Sequence, residues 1–273
     1  MPRRSRAATG TVRAGGARAD PTAAGADPRW APLPVRRVEA DPLAPADPQV
    51  WPQTLAPVAQ VLREGLDLGP ATVLVGANGS GKSTLLEAIA MAFGLAPEGG
   101  STGARHRTYV SESPLSESLR LVRGPGGSRW GYFVRAETLH GLLGYLDATA
   151  ADSRTRDPTF HVLSHGESFL ALLDTNRFGQ GEGLFVLDEP EAGLAFEAQL
   201  TLVGQLMTLA AGPRAQLLVA THSPIVAALP GARLLQLDDL GIHETEWAEL
   251  PVVDHYRRFL QVPERYLRHL GAG

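Results

Sequence analysis

Gly76-Ala77-Asn78-Gly79-Ser80-Gly81-Lys82-Ser83 contains the single lysine of a chain that otherwise carries 24 arginines. A coding bias that wrote arginine at every other basic position left an ammonium at this one. A compact, mobile point charge suits a loop that shares a phosphate with backbone amides, where a planar five-donor guanidinium would be too large. The spacing G-x-x-x-x-G-K-[ST] is that of the loop that cradles nucleotide phosphates. A glycine-rich turn ahead of a helix is the plain alternative, but the flanks fit the phosphate-loop context. Ala71 to Val75 reads as a buried strand and Thr84 to Phe93 as a helix.

Composition narrows the field around that loop. At 273 residues and 44% hydrophobic content the chain can bury one sizeable core, with at most an appendage. It has no cysteine, which excludes disulfide frameworks and thiolate metal sites. The apolar runs are too short to span a bilayer and no secretory signal is visible, so a cytoplasmic place is expected. Residues 1–37 hold eight arginines against two aspartates, a net of +6 that leaves −10 for the rest within a whole-chain charge of −4. So acidic a body argues against broad nonspecific DNA binding. Residues 1–45 are rich in Ala, Gly, Pro and Arg without periodicity and read as a disordered tail ahead of a domain over 46–273. An arginine-rich, acid-poor start also resembles a transit peptide, although a solvated tail is the reading favoured here.

Strand patterns at Trp130–Arg135, Leu184–Leu187 and Leu217–Ala220 alternate with helical ones at Ala136–Leu146, from Gly166, and at Ala195–Ala211. That alternation predicts an α/β fold, a mostly parallel sheet with helices on both faces and a small helical or loop insertion. Asp147–Pro158 reads as a surface loop.

Three stations follow the phosphate loop. Leu187-Asp188-Glu189-Pro190 closes an apolar strand; Asp188 there could share Mg²⁺ with the Ser83 hydroxyl, and Glu189 could act as general base on a water. Without the loop, the two carboxylates would read as a solvated turn. Thr221-His222-Ser223-Pro224 follows the next apolar strand and places His222 for a γ-phosphate or the lytic water. Leu163-Ser164-His165-Gly166-Glu167 precedes Phe169, Leu170, Leu172 and Leu173, and its S-x-x-E spacing forms a capping box. A capped helix start is common, and it is also an anion site.

Taken together, the stations resemble the ABC class of P-loop ATPases over about residues 50–245. Gly76 to Ser83 corresponds to Walker A, Leu163 to Glu167 to the signature, Leu187 to Glu189 to Walker B with its glutamate, and His222 to the switch histidine. Ser80-Gly81-Lys82-Ser83-Thr84-Leu85-Leu86-Glu87-Ala88, Ser164 to Leu172, Asp188-Glu189-Pro190-Glu191-Ala192-Gly193-Leu194 and the closing Pro263 to Leu270 are similar to small stand-alone bacterial ATPases related to AAA_21, RecF and SMC proteins.

The resemblance implies ATP and Mg²⁺ as ligands, held by Gly76, Ala77, Asn78, Gly79, Ser80, Gly81, Lys82, Ser83 and Thr84. It implies Ser83 and Asp188 on the metal, and Lys82, Glu189 and His222 in catalysis. Ser164 and Gly166 would meet the ATP of a second copy, so a homodimer is expected in the ATP state, alongside an unidentified protein or nucleic-acid partner. A slow nucleotide-gated switch of RecF type and a transporter subunit are the competing roles.

The chain departs from the class at several positions. His165 and Glu167 replace a glycine and a glutamine, Ala195 stands where an aspartate is usual, and no glutamine follows Trp130–Val134. Arg135 and Glu137 occupy that last place, and an ordinary ion pair would look the same. Trp51 is a guess for adenine stacking.

Overall fold

The computed structural model describes residues 32–102, 114–149, 159–163, 165–179 and 181–268. Five parallel strands form its centre: β3 (Ala71–Gly76), β6 (Gly131–Arg135), β7 (Glu182–Asp188), β8 (Arg214–Thr221) and β9 (Arg233–Asp238). With β4 (Gly100–Ser101) and β10 (Gly241–Glu244) antiparallel at the edges, the order across the sheet is β10-β9-β3-β8-β7-β6-β4. The parallel strands are near-continuous Val/Leu/Ala runs because helices cover both faces. Alternation sends Val73, Val75, Phe185, Leu187, Leu217 and Val219 into one core. Leu74, Leu184, Val186, Leu218 and Ala220 enter the other.

The second of these cores lies under α1 (Ala56–Glu64) and α2 (Lys82–Phe93), and the first under α3 (Leu139–Thr149), α4 (His165–Leu173) and α6 (Phe196–Ala210). The expected insertion is the segment between β6 and β7, made of α3, α4 and α5 (Asn176–Gly179). Among the described residues no helix is long and apolar enough to cross a membrane.

The expected tail boundary at residue 45 is corrected here. β1 (Arg37–Ala40) is the middle strand of a second, antiparallel sheet, between β2 (Leu66–Asp67) and β5 (Leu119–Val122). Val35 and Val38 are fully buried. The buried Gln216 amide pins this segment to β8: its Oε1 accepts from the Val35 N–H at 2.8 Å, and its Nε2 donates to the carbonyls of Val35 at 2.6 Å and Gly69 at 2.9 Å. Two valines among polar neighbours show no period, and their anchor lies 181 residues away. Residues 1–31, the rest of the expected tail, lie outside the described residues.

Candidate nucleotide site

Strand register assembles the site. Val75 pairs with Thr221, and Asp188 lies between Arg135 and Ala220 on its two neighbours. The loops that follow β3, β7 and β8 therefore leave the same edge of the sheet side by side. This is the crevice outside the strands' carboxyl ends where α/β sheets bind ligands.

The loop after β3 exposes Ala77, Asn78 and Gly79, while Ser80 and Thr84 are half-buried. Gly79 and Gly81 take φ of 79° and 92°, left-handed values that a side chain rarely adopts. Gly81 precedes α2 directly, so the first-turn amides of that helix, which have no intrahelical acceptors, open onto the loop. Lys82 is 3% exposed, and its ammonium donates to the Gly76 carbonyl at 2.9 Å and the Ala77 carbonyl at 3.1 Å. Burial pulls its pKa below the ordinary lysine value, against the opposing pull of Glu189, Asp188 and Glu191.

Asp188 closes β7, and its Oδ1 accepts from the Ser83 hydroxyl at 2.9 Å. Burial pushes this carboxyl above its usual range, while Arg135, Ser83 and Lys82 hold it down. Arg135 Nε lies 3.4 Å from Asp188 Oδ2, its Nη1 donates to Glu87 Oε2 at 2.6 Å, and Nη2 reaches Glu137 Oε2 at 3.5 Å. Arg135 is thus a guanidinium built against the carboxylate end of β7, whereas the Glu137 side chain is 82% exposed.

Glu189 has φ of 51°, a left-handed value uncommon for a residue with a side chain and characteristic of strained functional positions. Its N–H still donates to the Ala220 carbonyl at 2.9 Å, which extends the β7–β8 ladder by one step. The Glu189 carboxylate meets His222 Nε2 at 3.3 Å, and both side chains remain partly open to solvent. Sequence reasoning did not single out Glu191. Its Oε1 accepts from the backbone N–H groups of both His222 and Ser223, at 2.7 and 3.0 Å. The only signal for it was the second glutamate of Asp-Glu-Pro-Glu.

Of the signature residues, Gly166 and Glu167 lie at the start of α4. Ser164, the expected helix cap, lies outside the described residues. Gly166 opens α4, and a Cβ placed there would come 2.7 Å from Leu194 Cδ2 and 3.6 Å from the Gly193 carbonyl, with no P-loop atom among its nearest neighbours. Glu167 is exposed. Ala195 caps α6 without a side-chain hydrogen bond. Trp51 is 59% exposed. It sits four residues before Leu55, whose methyl would lie 3.2 Å from a Cβ at Gly81.

The donor set fits Mg²⁺ with a nucleotide. The Ser83–Asp188 pair offers a hydroxyl and a carboxylate, and the buried Ser80 hydroxyl has no hydrogen-bond partner in the protein. Among the described residues no three His, Asp or Glu side chains gather into a metal cage. Mg²⁺ commonly relies on one or two carboxylates plus phosphate oxygens, which matches such a set.

A phosphate loop, a paired hydroxyl and aspartate, and strands ordered in this way define a P-loop ATPase of the ABC class. The chain belongs to the AAA_21 family, described as "AAA domain, putative AbiEii toxin, Type IV TA system", whose model matches residues 71–138 and 151–228. It is 33% identical over 201 residues to the cytochrome c biogenesis ATP-binding export protein CcmA of Rhizobium etli, an overlap of 67% of this chain and 88% of that protein. Among solved structures it is similar to the SMC head domain from Thermotoga maritima (TM-score 0.37, 17% identity, 67% of this chain and 93% of that one). It is also similar to CbiO1 of Clostridium perfringens, part of an ABC transporter complex (TM-score 0.42, 15% identity, 76% and 89%). The family match and the curated relative carry the assignment.

Proposed function

We propose that this chain is a Mg²⁺-dependent ATP hydrolase whose complete site forms when ATP brings two copies together. The observation that supports it is the convergence of Lys82, Ser83, Asp188, Glu189 and His222 at the adjoining carboxyl ends of β3, β7 and β8. In this reading the amides of Gly76 to Thr84 and the Lys82 ammonium hold the phosphates, with the ammonium leaving the loop carbonyls it now binds. Ser83 and Asp188 would hold Mg²⁺, which when bound neutralises charge on the β- and γ-phosphate oxygens. Glu189 accepts a proton from the water whose oxygen attacks the γ-phosphorus. The bond to the β,γ-bridging oxygen breaks, and ADP and inorganic phosphate leave. His222, beside Glu189, contacts the γ-phosphate.

The second copy contributes the start of α4 at Ser164 and Gly166. Among the described residues, the atoms within 4 Å of a Cβ at Gly166 belong to Gly193 and Leu194 rather than to the P-loop. Arg135 takes the place of the absent glutamine and balances the charge of Asp188. Trp51, on the segment that abuts Gly81, stacks on adenine. Steady-state phosphate release tests the reading: the rate per chain should rise with protein concentration and require Mg²⁺, and no release at any concentration sinks it.

A second reading, the ATPase of an export machine, is favoured by one observation, the 33% identity over 201 residues to a cytochrome c biogenesis ATP-binding export protein. Co-fractionation of the chain with membranes in the cell from which it comes distinguishes it from a stand-alone ATPase.

A further inference from the structure

Glu191 sits three residues beyond the end of β7, yet its partners lie at the end of β8. One oxygen, Oε1, takes the N–H groups of His222 at 2.7 Å and Ser223 at 3.0 Å. Two consecutive amides converging on one carboxylate oxygen form a charge-assisted clasp, stronger and more directional than a neutral turn contact. The second oxygen, Oε2, is buried and has no hydrogen bond among the described residues.

The turn it grips is anchored from its other side as well. The buried Ser223 hydroxyl donates to Gln199 Oε1 at 2.6 Å on α6, and Gln199 Nε2 donates to the Leu194 carbonyl at 2.9 Å. Trp247 Nε1 donates to the Pro224 carbonyl at 2.7 Å. Glu191 thus holds the His222 amide directly to the loop after β7, which also carries Glu189, and Gln199 links Ser223 to the same loop at Leu194. The Glu189–His222 distance of 3.3 Å is set by two strand ends that Glu191 ties together.

We infer that Glu191 is a positioning residue of the hydrolytic site, clasping the His222 turn so that the imidazole and the Glu189 carboxylate stay in register. It touches neither water nor phosphate itself. This rests on the ATPase reading above, but it has a consequence that does not require turnover. In the nucleotide-free protein the His222 amide is protected from hydrogen exchange by this one oxygen, whereas the Ser223 amide is shared with Thr221 Oγ1 at 2.9 Å.

The test compares wild type, Glu191→Ala and Glu191→Gln. Glu191→Gln keeps an oxygen that can accept both amides; Glu191→Ala removes it. In Glu191→Ala, exchange at His222 should accelerate at least tenfold, while Ser223, which also donates to Thr221 Oγ1, and the amides of β7 and β3 keep their protection. Its kcat should fall on the order of 10²-fold, the effect of an ångström-scale misplacement, with the KM for ATP within about twofold of wild type. Glu191→Gln should restore both the protection and most of the kcat. Wild-type exchange in Glu191→Ala overturns the clasp, as does a loss in Glu191→Gln equal to that in Glu191→Ala. Absence of phosphate release from the wild type overturns the ATPase reading, and the exchange measurement still decides the clasp.

Discussion

In the proposed dimer the P-loop edge of the sheet and the start of α4 lie on opposite sides of one nucleotide, yet the chain builds them differently. At the P-loop edge, Lys82 and Asp188 are buried, and Ser83 already bonds to Asp188 across 105 residues of sequence. At α4, Gly166 packs on the loop at Gly193 and Leu194, and Glu167 faces solvent. One half is preassembled within the protomer; the other, in the proposed reading, waits for the nucleotide of a second copy. The difference teaches that binding and turnover should separate under mutation if, as proposed, the first half holds ATP and hydrolysis needs both.

The largest expected break comes from Glu189→Gln, which removes the proton acceptor. Phosphate release should fall roughly 10²–10⁴-fold while ATP affinity stays near that of wild type. Comparable losses in both would mean that Glu189 belongs to the binding half. Lys82→Arg attacks the preassembled side directly. The guanidinium should fit poorly where the ammonium is enclosed by the Gly76 and Ala77 carbonyls. Losing a charged hydrogen bond of about 1.5–3 kcal/mol should weaken ATP binding roughly tenfold or more by equilibrium titration. Normal affinity and turnover in that variant would refute the role drawn from the single lysine.

Gly166→Ala sharpens the contrast from the other side. Its Cβ would press on Leu194 and shift the start of α4, so phosphate release should drop about tenfold with ATP affinity unchanged. A matching loss of affinity would place Gly166 within the protomer's own binding site. The smallest effect concerns stability. Burial raises the Asp188 pKa, so the native state binds this proton more tightly than the unfolded chain does. The resulting stability is present below the ordinary aspartate range and lost as pH rises through the raised value. Asp188→Asn should therefore raise the Tm of the nucleotide-free protein at neutral pH. Calorimetry should show that gain disappear below pH of about 3.9, where the wild-type group is protonated in both states. A gain that persists unchanged at low pH would contradict this account of Asp188.

What could be read from the sequence divides along the same line. β3, β7 and β8 are long apolar runs ended by chemistry-bearing residues, and their identities are local. Sequence reasoning therefore placed Asp188, Glu189 and His222 next to the P-loop, where register now puts them. β1 was lost in the tail because its partners are β2, β5 and the distant Gln216. The link between Glu191 and the His222 amides was equally hidden, since nothing in Asp-Glu-Pro-Glu says which amides the second glutamate will reach. The helix expected at Thr84 begins at Lys82, and that expected at Ala136 begins at Leu139. Helix ends depend on caps and on three-dimensional context more than on periodicity.

The central claim is that a protomer carries half of a site that a second copy completes, and sedimentation velocity of Glu189→Gln tests it most directly. The account predicts a monomer without nucleotide and a dimer once Mg-ATP is added. A monomer under both conditions would contradict it.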